Sequence, residues 1–302
     1  MSLCVAIVTD DPGWHGRQLR RAFAERGVDS RFTTLVEARL DLASDTPVTL
    51  PGFASELPDA VFVRGVPGGT LAQVVFHLNV LHALKDLGIP VYNDGRAIER
   101  SVDKCLTTLR LRQAGVPTPD TWVCRDHEQA IRLVKQHADP LPLVCKPLFG
   151  SQGEGISLVR DSRDLPGVEA IDGVWYLQKF VGEKTHRSSD WRVFVIGGRA
   201  VAAMRRDGEG WLANVAQGAS CHAALPEGRL RELAEAAVAC LDMAYAGVDL
   251  MCDGDGRWWV IEVNSIPAWK GLQSVTHLDM AGLLADDLLR RCLHSQINES
   301  VR

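Results

Sequence analysis

Hydrophobic residues fall along this chain in two rhythms. In the first ninety residues, short apolar runs alternate with stretches whose apolar positions recur every three or four residues. "LCVAIVTD", "DAVFVRG" and "IPVYN" are short runs that predict buried strands. "HGRQLRRAFAERG" sets Leu19, Ala22 and Phe23 on one helical face and stops at Gly27, and "LAQVVFHLNVLHALKDLG" stops at Gly88. Strand–helix–strand alternation of this kind predicts a parallel sheet. Next come a helix over "SVDKCLTTLRLRQAG", a helix over "HEQAIRLVKQHA", and strands on both sides of a glycine-rich loop. From Tyr176 the spacing is mainly period two. "YLQKFV" is followed by "DWRVFVIGGRAVAAMRR", a hairpin turning at Gly197-Gly198. A helix from about Glu227 to Met243, a second hairpin and a terminal helix from about Leu278 to His294 complete the chain. The reading is an α/β chain in three parts, residues 1–95, 96–175 and 176–302.

The second hairpin, "AGVDLMCDGDGRWWVIEVNSIP", turns at Asp253-Gly254-Asp255-Gly256. Side chains alternate along a strand, so Glu262 and Asn264 share a face. If Cys252 pairs with Trp259, Asp249 falls opposite Glu262 and three oxygen-bearing side chains converge. Hard oxygen donors suit Mg²⁺, usually held by one or two carboxylates together with substrate phosphates. The competing reading leaves these acids solvated on an exposed face. The glycine loop lies in "LVCKPLFGSQGEGISLV". Gly150, Gly153 and Gly155 can turn backbone N–H groups toward a phosphate, and Lys146 stands at the root. No G-x-x-x-x-G-K-[ST] occurs, and the strand after the loop does not fit a dinucleotide fingerprint, which needs a helix there. Strand–loop–strand predicts a hairpin tip able to fold down as a lid, against the plainer reading of a surface hairpin.

Composition narrows the classes. A net charge of −5 over 302 residues gives no support for a nucleic-acid binder. The eight cysteines are scattered without a C-x-x-C pair, mostly in apolar runs, which predicts reduced thiols rather than disulfides or a zinc cluster. "MSLCVAIVTDD" lacks a basic leader, and no apolar run approaches the roughly 20 residues that span a bilayer. The expectation is a cytoplasmic protein with no membrane partner; a homo-oligomer stays open.

Taken together, "SVDKCLTTLRL", "CKPLFGSQGEGI", "YLQKFV", "SDWRVFVIGGRAVAAMRR", "LANVAQGA", "AGVDLM" and "WVIEVNSIPAWKGLQ" occur in an order that resembles the ATP-grasp superfamily, specifically the RimK-like glutamate ligases. The resemblance runs from about Tyr92 to Leu288 and implies two α+β subdomains gripping ATP, preceded by a Rossmann-like pre-ATP-grasp domain. It implies that Lys104 and Lys146 reach ATP phosphates under a loop containing Gly150, Ser151, Gln152 and Gly153. Gln178, Lys179 and Phe180 would line the nucleotide, the last two reading the adenine edge through backbone groups, with Asp190 and Asn214 nearby. Asp249, Glu262 and Asn264 would hold Mg²⁺ or Mn²⁺. Arg192 and Arg205, on paired strands, would serve the reacting phosphoryl group or a substrate carboxylate.

The implied reaction is ATP-dependent amide formation through an acyl phosphate, adding glutamate to a small-molecule carboxylate, first of all that of a pterin-type coenzyme. A peptide or protein C-terminus is the next acceptor, and a non-catalytic ATP-binding sensor is the competing class. The intact metal positions argue against the sensor. A D-alanine-type dipeptide ligase would lack the "DWRVFVIGG" and "NVAQG" context. The chain departs from its relatives in two places. Lys179 stands where an acidic residue is usual, leaving Glu183 as a substitute ribose contact, and Gln217 to Ala219 replace a glycine pair. Trp269 and Lys270 lie where the acceptor would bind, either as an aromatic plate with a cation or as a core residue beside a solvated one. Ser101 starts an S-x-x-K triplet but reads as a helix N-cap, His186 as an exposed loop residue, and Trp258-Trp259 as packing.

Overall fold

A computed structural model describes residues 3–53, 56–150, 153–182, 188–211 and 218–299, with side chains as far as 293. Three main sheets organise the chain. The first joins β1 (Cys4–Val8), β2 (Asp29–Thr33), β5 (Ala60–Val63) and β6 (Val91–Tyr92), all parallel, in the order β2-β1-β5-β6. Helices α1 (Gly13–Ala24) and α2 (Leu71–Asp86) make the crossovers, and β3 (Arg39–Leu40) and β4 (Val48–Thr49) form a separate ribbon. The predicted parallel sheet is present, although β2 has no apolar run to announce it. It is the sheet edge, and its "DSRFT" is largely polar.

The single helix expected over residues 101–115 is two, α3 (Gly95–Val102) and α4 (Lys104–Gln113). Asp103 separates them, and its carboxylate accepts from the Leu106 N–H at 3.0 Å. Asp103 is therefore the N-cap expected of Ser101. Ser101 is buried inside α3, where its hydroxyl donates to the Ile98 carbonyl and shares a 2.6 Å hydrogen bond with the Ser265 hydroxyl. The break places Lys104 on the first turn of α4.

The central sheet contains β7 (Thr121–Cys124), β8 (Leu143–Lys146), β9 (Ser157–Val159) and β10 (Trp175–Lys179), antiparallel in the order β7-β10-β8-β9. Helix α5 (His127–His137) buries Ala130 and Val134 in the same core as Leu143 and Leu177. The glycine loop joins β8 to β9 as the predicted hairpin. The expected edge at residue 175 cuts into β10, so the central sheet continues to Lys179.

The third sheet is antiparallel, in the order β13-β12-β11-β14-β15, from β11 (Ser188–Ile196), β12 (Arg199–Gly208), β13 (Ser220–Ala224), β14 (Tyr245–Cys252) and β15 (Trp258–Asn264). Helix α6 (Gly228–Cys240) covers one face, packing with Val193, Val195, Ala203, Val248, Val260 and Val263. The short α7 (Lys270–Gln273) and the long α8 (Met280–Glu299) follow. Met280, Ala281, Leu284 and Leu288 of α8 share one core with Phe23 and Phe62 of the first sheet's layer and with Phe194 and Tyr245 of the third sheet. Among the described residues no helix is long and apolar enough to cross a membrane.

Two β-bulges set which side chains face the cleft between the second and third sheets. On β12, Ala200 pairs with Val195 and Ala202 with Phe194, leaving Val201 as the extra residue. On β15, Val260 pairs with Leu250 and Glu262 with Asp249, leaving Ile261 as the extra residue. Each extra residue exchanges inward and outward positions along the rest of its strand.

Asn93 ties the first sheet to the third. Its side chain, 1% exposed, donates to the Tyr245 and Ser265 carbonyls at 2.7 Å each and accepts from the Ala244 and Tyr245 N–H groups. An apolar replacement would strand several buried backbone groups, each worth about 1–3 kcal/mol when unsatisfied. Asn93→Leu is expected to lower unfolding stability by about 3 kcal/mol or more in equilibrium urea titration. A loss below about 1 kcal/mol would contradict this account of the junction.

Candidate functional site

A cleft of about 600 Å³ opens between the central and third sheets. Of the residues expected there, Lys104, Lys146, Gly150, Gly153, Gln178, Lys179, Phe180, Asp190, Arg192, Asp249, Glu262 and Asn264 all line it. Ser151, Gln152 and Asn214 lie outside the described residues, as do Glu183 and His186.

Lys146 closes β8 and is 8% exposed. Its ammonium donates to Gln178 Oε1 at 2.7 Å. Gln178 donates in turn to Thr121 Oγ1 and the Tyr176 hydroxyl, each at 3.1 Å, and that hydroxyl shares a 2.6 Å hydrogen bond with Thr108 of α4. The lysine is thereby aimed by a chain of neutral groups that cancels none of its charge. Burial pulls its pKa down to about 8, while Glu262 pushes the other way. Lys104 donates to the Gly150 carbonyl at 3.0 Å, at the start of the glycine loop, and burial lowers its pKa against the raising effect of Glu262. Two ammonium groups thus face one carboxylate across the cleft. That leaves room for an anion at the lysines and a cation at the acid.

Backbone donors of the linking strand are already engaged. The Lys179 N–H bonds the Asp120 carbonyl at 2.8 Å and the Phe180 N–H bonds the Pro142 carbonyl at 3.3 Å. The Lys179 side chain pairs with Asp120 at 3.1 Å.

The third sheet supplies a compact ionic cluster. Arg192 grips Asp249 through Nε and Nη2 at 2.7 and 2.6 Å. Arg206 grips Asp190 at 2.6 Å through both nitrogens and reaches Asp249 at 3.1 Å. Burial alone would raise the Asp249 pKa, but Arg192 and Arg206 together hold it below the usual carboxylate range. Asp190 is pushed up by burial and by Asp249, against the pull of Arg206. When two buried acids share one guanidinium, the acid with two arginines keeps its charge more firmly.

Arg205 is corrected by this geometry. It points to the other face, exposed and paired with Asp207 at 2.8 Å, and Arg206 takes the inward position. A regular hairpin closed at Gly197-Gly198, whose φ values are +58° and +78°, would place Arg205 opposite Asp190. The bulge at Val201 moves Arg206 there instead. On the second hairpin, Cys252 pairs with Trp258 and not Trp259, yet Asp249 still meets Glu262, because the bulge at Ile261 restores the count. Trp258 packs edge-on against Trp191, and the Trp259 indole donates to Asp253, both as expected of packing residues.

Glu262 and Asn264 present hard oxygen donors to the cleft, a set that fits a small divalent cation beside phosphates, and Asp249 lies beside them with both oxygens held by Arg192 and Arg206. Gly247, between Asp249 and Tyr245 on β14, is required where it stands. A Cβ there would meet the Pro267 Cβ at 2.9 Å, closer than two carbon atoms pack. Trp269 is fully buried against His15, Trp14 and Phe194, so of the two readings the core one holds, while Lys270 beside it is exposed at the cleft. Sequence reading missed Arg64, which comes from the end of β5 to the same cleft, and the Thr108–Tyr176–Gln178 relay. A lone arginine closing an apolar strand was the one signal available for Arg64.

Comparison with known proteins gives the family. Residues 101–288 match the RimK-like ATP-grasp domain. The tetrahydromethanopterin:alpha-L-glutamate ligase of Methanocaldococcus jannaschii is 34% identical over 248 residues, covering 79% of this chain and 81% of that one. The Methanococcus maripaludis protein of the same name is 27% identical over 297 residues, covering 94% and 97%. Among solved structures, the ATP-grasp ligase PsnB complexed with minimal precursor, Mg and ADP superposes with a TM-score of 0.71 at 19% identity, over 95% of this chain and 98% of that one. Two sheets around a cleft lined by paired lysines and a carboxylate hairpin, with this sequence agreement, place the chain in the RimK-like ATP-grasp ligase family.

Proposed function

We propose that this protein uses ATP and Mg²⁺ to join the amine of glutamate to a carboxylate of a pterin-type coenzyme, through an acyl phosphate. The observation that carries the substrate choice is similarity to two tetrahydromethanopterin:alpha-L-glutamate ligases, one of them over nearly the full length of both chains. The cleft carries the chemistry. Lys104 and Lys146 bind the nucleotide phosphates. Asp249, Glu262 and Asn264 would hold Mg²⁺ or Mn²⁺, which when bound neutralises charge on the transferring phosphoryl group. Arg192 and Arg206 orient the attacking carboxylate and stabilise the acyl phosphate by charge. Among the described lining residues there is no Ser, Thr, Cys or His, which suits direct attack by the substrate carboxylate and no phosphoryl-enzyme. The eight free thiols suit a reducing compartment, and we place the reaction in the cytoplasm.

The test combines the protein with ATP, Mg²⁺ and a folate- or pterin-linked carboxylate, with hydroxylamine replacing the amine. A hydroxamate of the acceptor is expected, and a gain of one glutamyl residue once glutamate is supplied instead. Neither product from a whole metabolite extract, with nucleotide binding retained, would overturn the ligase reading in favour of a sensor.

A further inference from the structure

Cations and anions in the cleft can be matched by position. Arg192 and Arg206 are answered by Asp249 and Asp190, and Lys179 by Asp120. Lys104 and Lys146 sit where a nucleotide's phosphates would go. Arg64 and Lys270 remain, and neither makes an ion pair with any described residue.

Arg64 leaves the end of β5, and its guanidinium lies over the Trp269 ring, 5.3 Å from the centroid. Its one described hydrogen bond is from Nη1 to the Ile266 carbonyl at 3.3 Å, and Nε is buried without an acceptor. The Trp269 Nε1 donor is likewise buried and unpaired. Lys270 opens the next turn of chain and lines the same cleft. His15 registers the field of both. Burial first, then Arg64 and Lys270, push it down to about 4, so it is neutral and accepts from the Trp269 backbone N–H at 3.1 Å. A half-buried guanidinium with unused donors, beside a second cation and no acid, is costly unless an anion completes it.

We infer that Arg64 and Lys270 together seat a carboxylate of the amino-acid substrate, which makes the N-terminal domain a specificity-determining part of the active cleft. The inference rests on the ligase reading for the identity of the ligand. A dicarboxylic amino acid attacking through its amine keeps both carboxylates ionised throughout the reaction and so needs fixed cations. Arginine supplies a permanent, planar fork for one of them, and Lys270 adds a mobile second charge.

The experiment is calorimetric titration of L-glutamate, and separately glutarate, into the protein holding AMP-PNP and Mg²⁺. Glutarate has the two carboxylates without the amine, so the readout does not depend on turnover. Both should bind the wild type. Arg64→Met, which keeps the stem over Trp269, and Lys270→Met should each weaken both ligands by about 10-fold or more. Arg64→Lys should recover part of the loss, and AMP-PNP affinity should stay within about 2-fold. If Arg64→Met fails to fold, the exposed Lys270→Met carries the test. Unchanged dicarboxylate affinity in the folded variants, or no dicarboxylate binding to a wild type that binds AMP-PNP, overturns the inference. Arg64-dependent dicarboxylate binding without any hydroxamate formation would sustain it while removing the ligase reading.

Discussion

Arg206→Met is expected to reduce ATP-dependent hydroxamate formation by about 10²–10³-fold, whereas Arg205→Met should leave it within about 2-fold of wild type. The two residues are adjacent and chemically identical, so the contrast isolates their direction. Arg205 is exposed and its partner Asp207 lies outside the cleft, a surface pair worth little. Arg206 is 4% exposed and is the common partner of Asp190 and Asp249. Its removal also leaves Asp190 buried beside another carboxylate, so a stability cost of about 3–5 kcal/mol accompanies the loss of activity. Arg206→Lys separates the two effects. It restores one charge, and with it much of the stability, but one ammonium cannot grip Asp190 with two parallel bonds and reach Asp249 as well. Activity should remain low in a protein that melts near the wild-type temperature. Loss of activity in Arg205→Met with retention in Arg206→Met would mean that the strand register is wrong.

Glu262→Gln should have the other large effect, a loss of about 10³-fold in ADP formation that excess Mg²⁺ does not restore. The substitution preserves shape and removes one anionic oxygen donor. Glu262 makes no ion pair with any described residue, so little of the fold depends on its charge, unlike that of Asp249. It also raises the pKa of both Lys104 and Lys146, so without it both lysines hold their protons less firmly. Glu262→Gln should therefore unfold at a temperature close to wild type while ADP formation collapses. Wild-type rates across a Mg²⁺ titration would dismiss the hairpin as a metal site.

The sequence made the architecture legible wherever apolar spacing repeats over several turns, as in α1, α2 and the strands of the first sheet. Edge strand β2 escaped because its residues are polar. Lys146 and the carboxylate hairpin stood out by residue type and spacing, Lys104 came only with the family resemblance, and all of them line the cleft. Orientation was harder, since alternation fixes a face only until an extra residue intervenes. At Ile261 the extra residue compensated for a one-place error in pairing Cys252, and Glu262 still came out correctly. At Val201 nothing compensated, and Arg205 was assigned the position that Arg206 holds. Neither Val201 nor Ile261 differs in character from its neighbours, so no local chemistry marks the insertion. Arg64 was out of reach for another reason. Its partners in the cleft lie some two hundred positions away in the chain, and nothing near it in sequence names them.

The shared core around α8 bears on how this protein could be re-engineered. Met280, Leu284 and Leu288 lie in one apolar body with Phe23 and Phe62 on one side and Phe194 and Tyr245 on the other, whereas the central sheet keeps a separate core around Leu143 and Leu177. The first 90 residues are thus no interchangeable cassette. A chimera that exchanged them alone would have to rebuild the apolar seat that Phe23 and Phe62 give the closing helix. One that exchanged them together with the closing helix would carry its own seal. The detachable module, by this measure, is the middle of the chain.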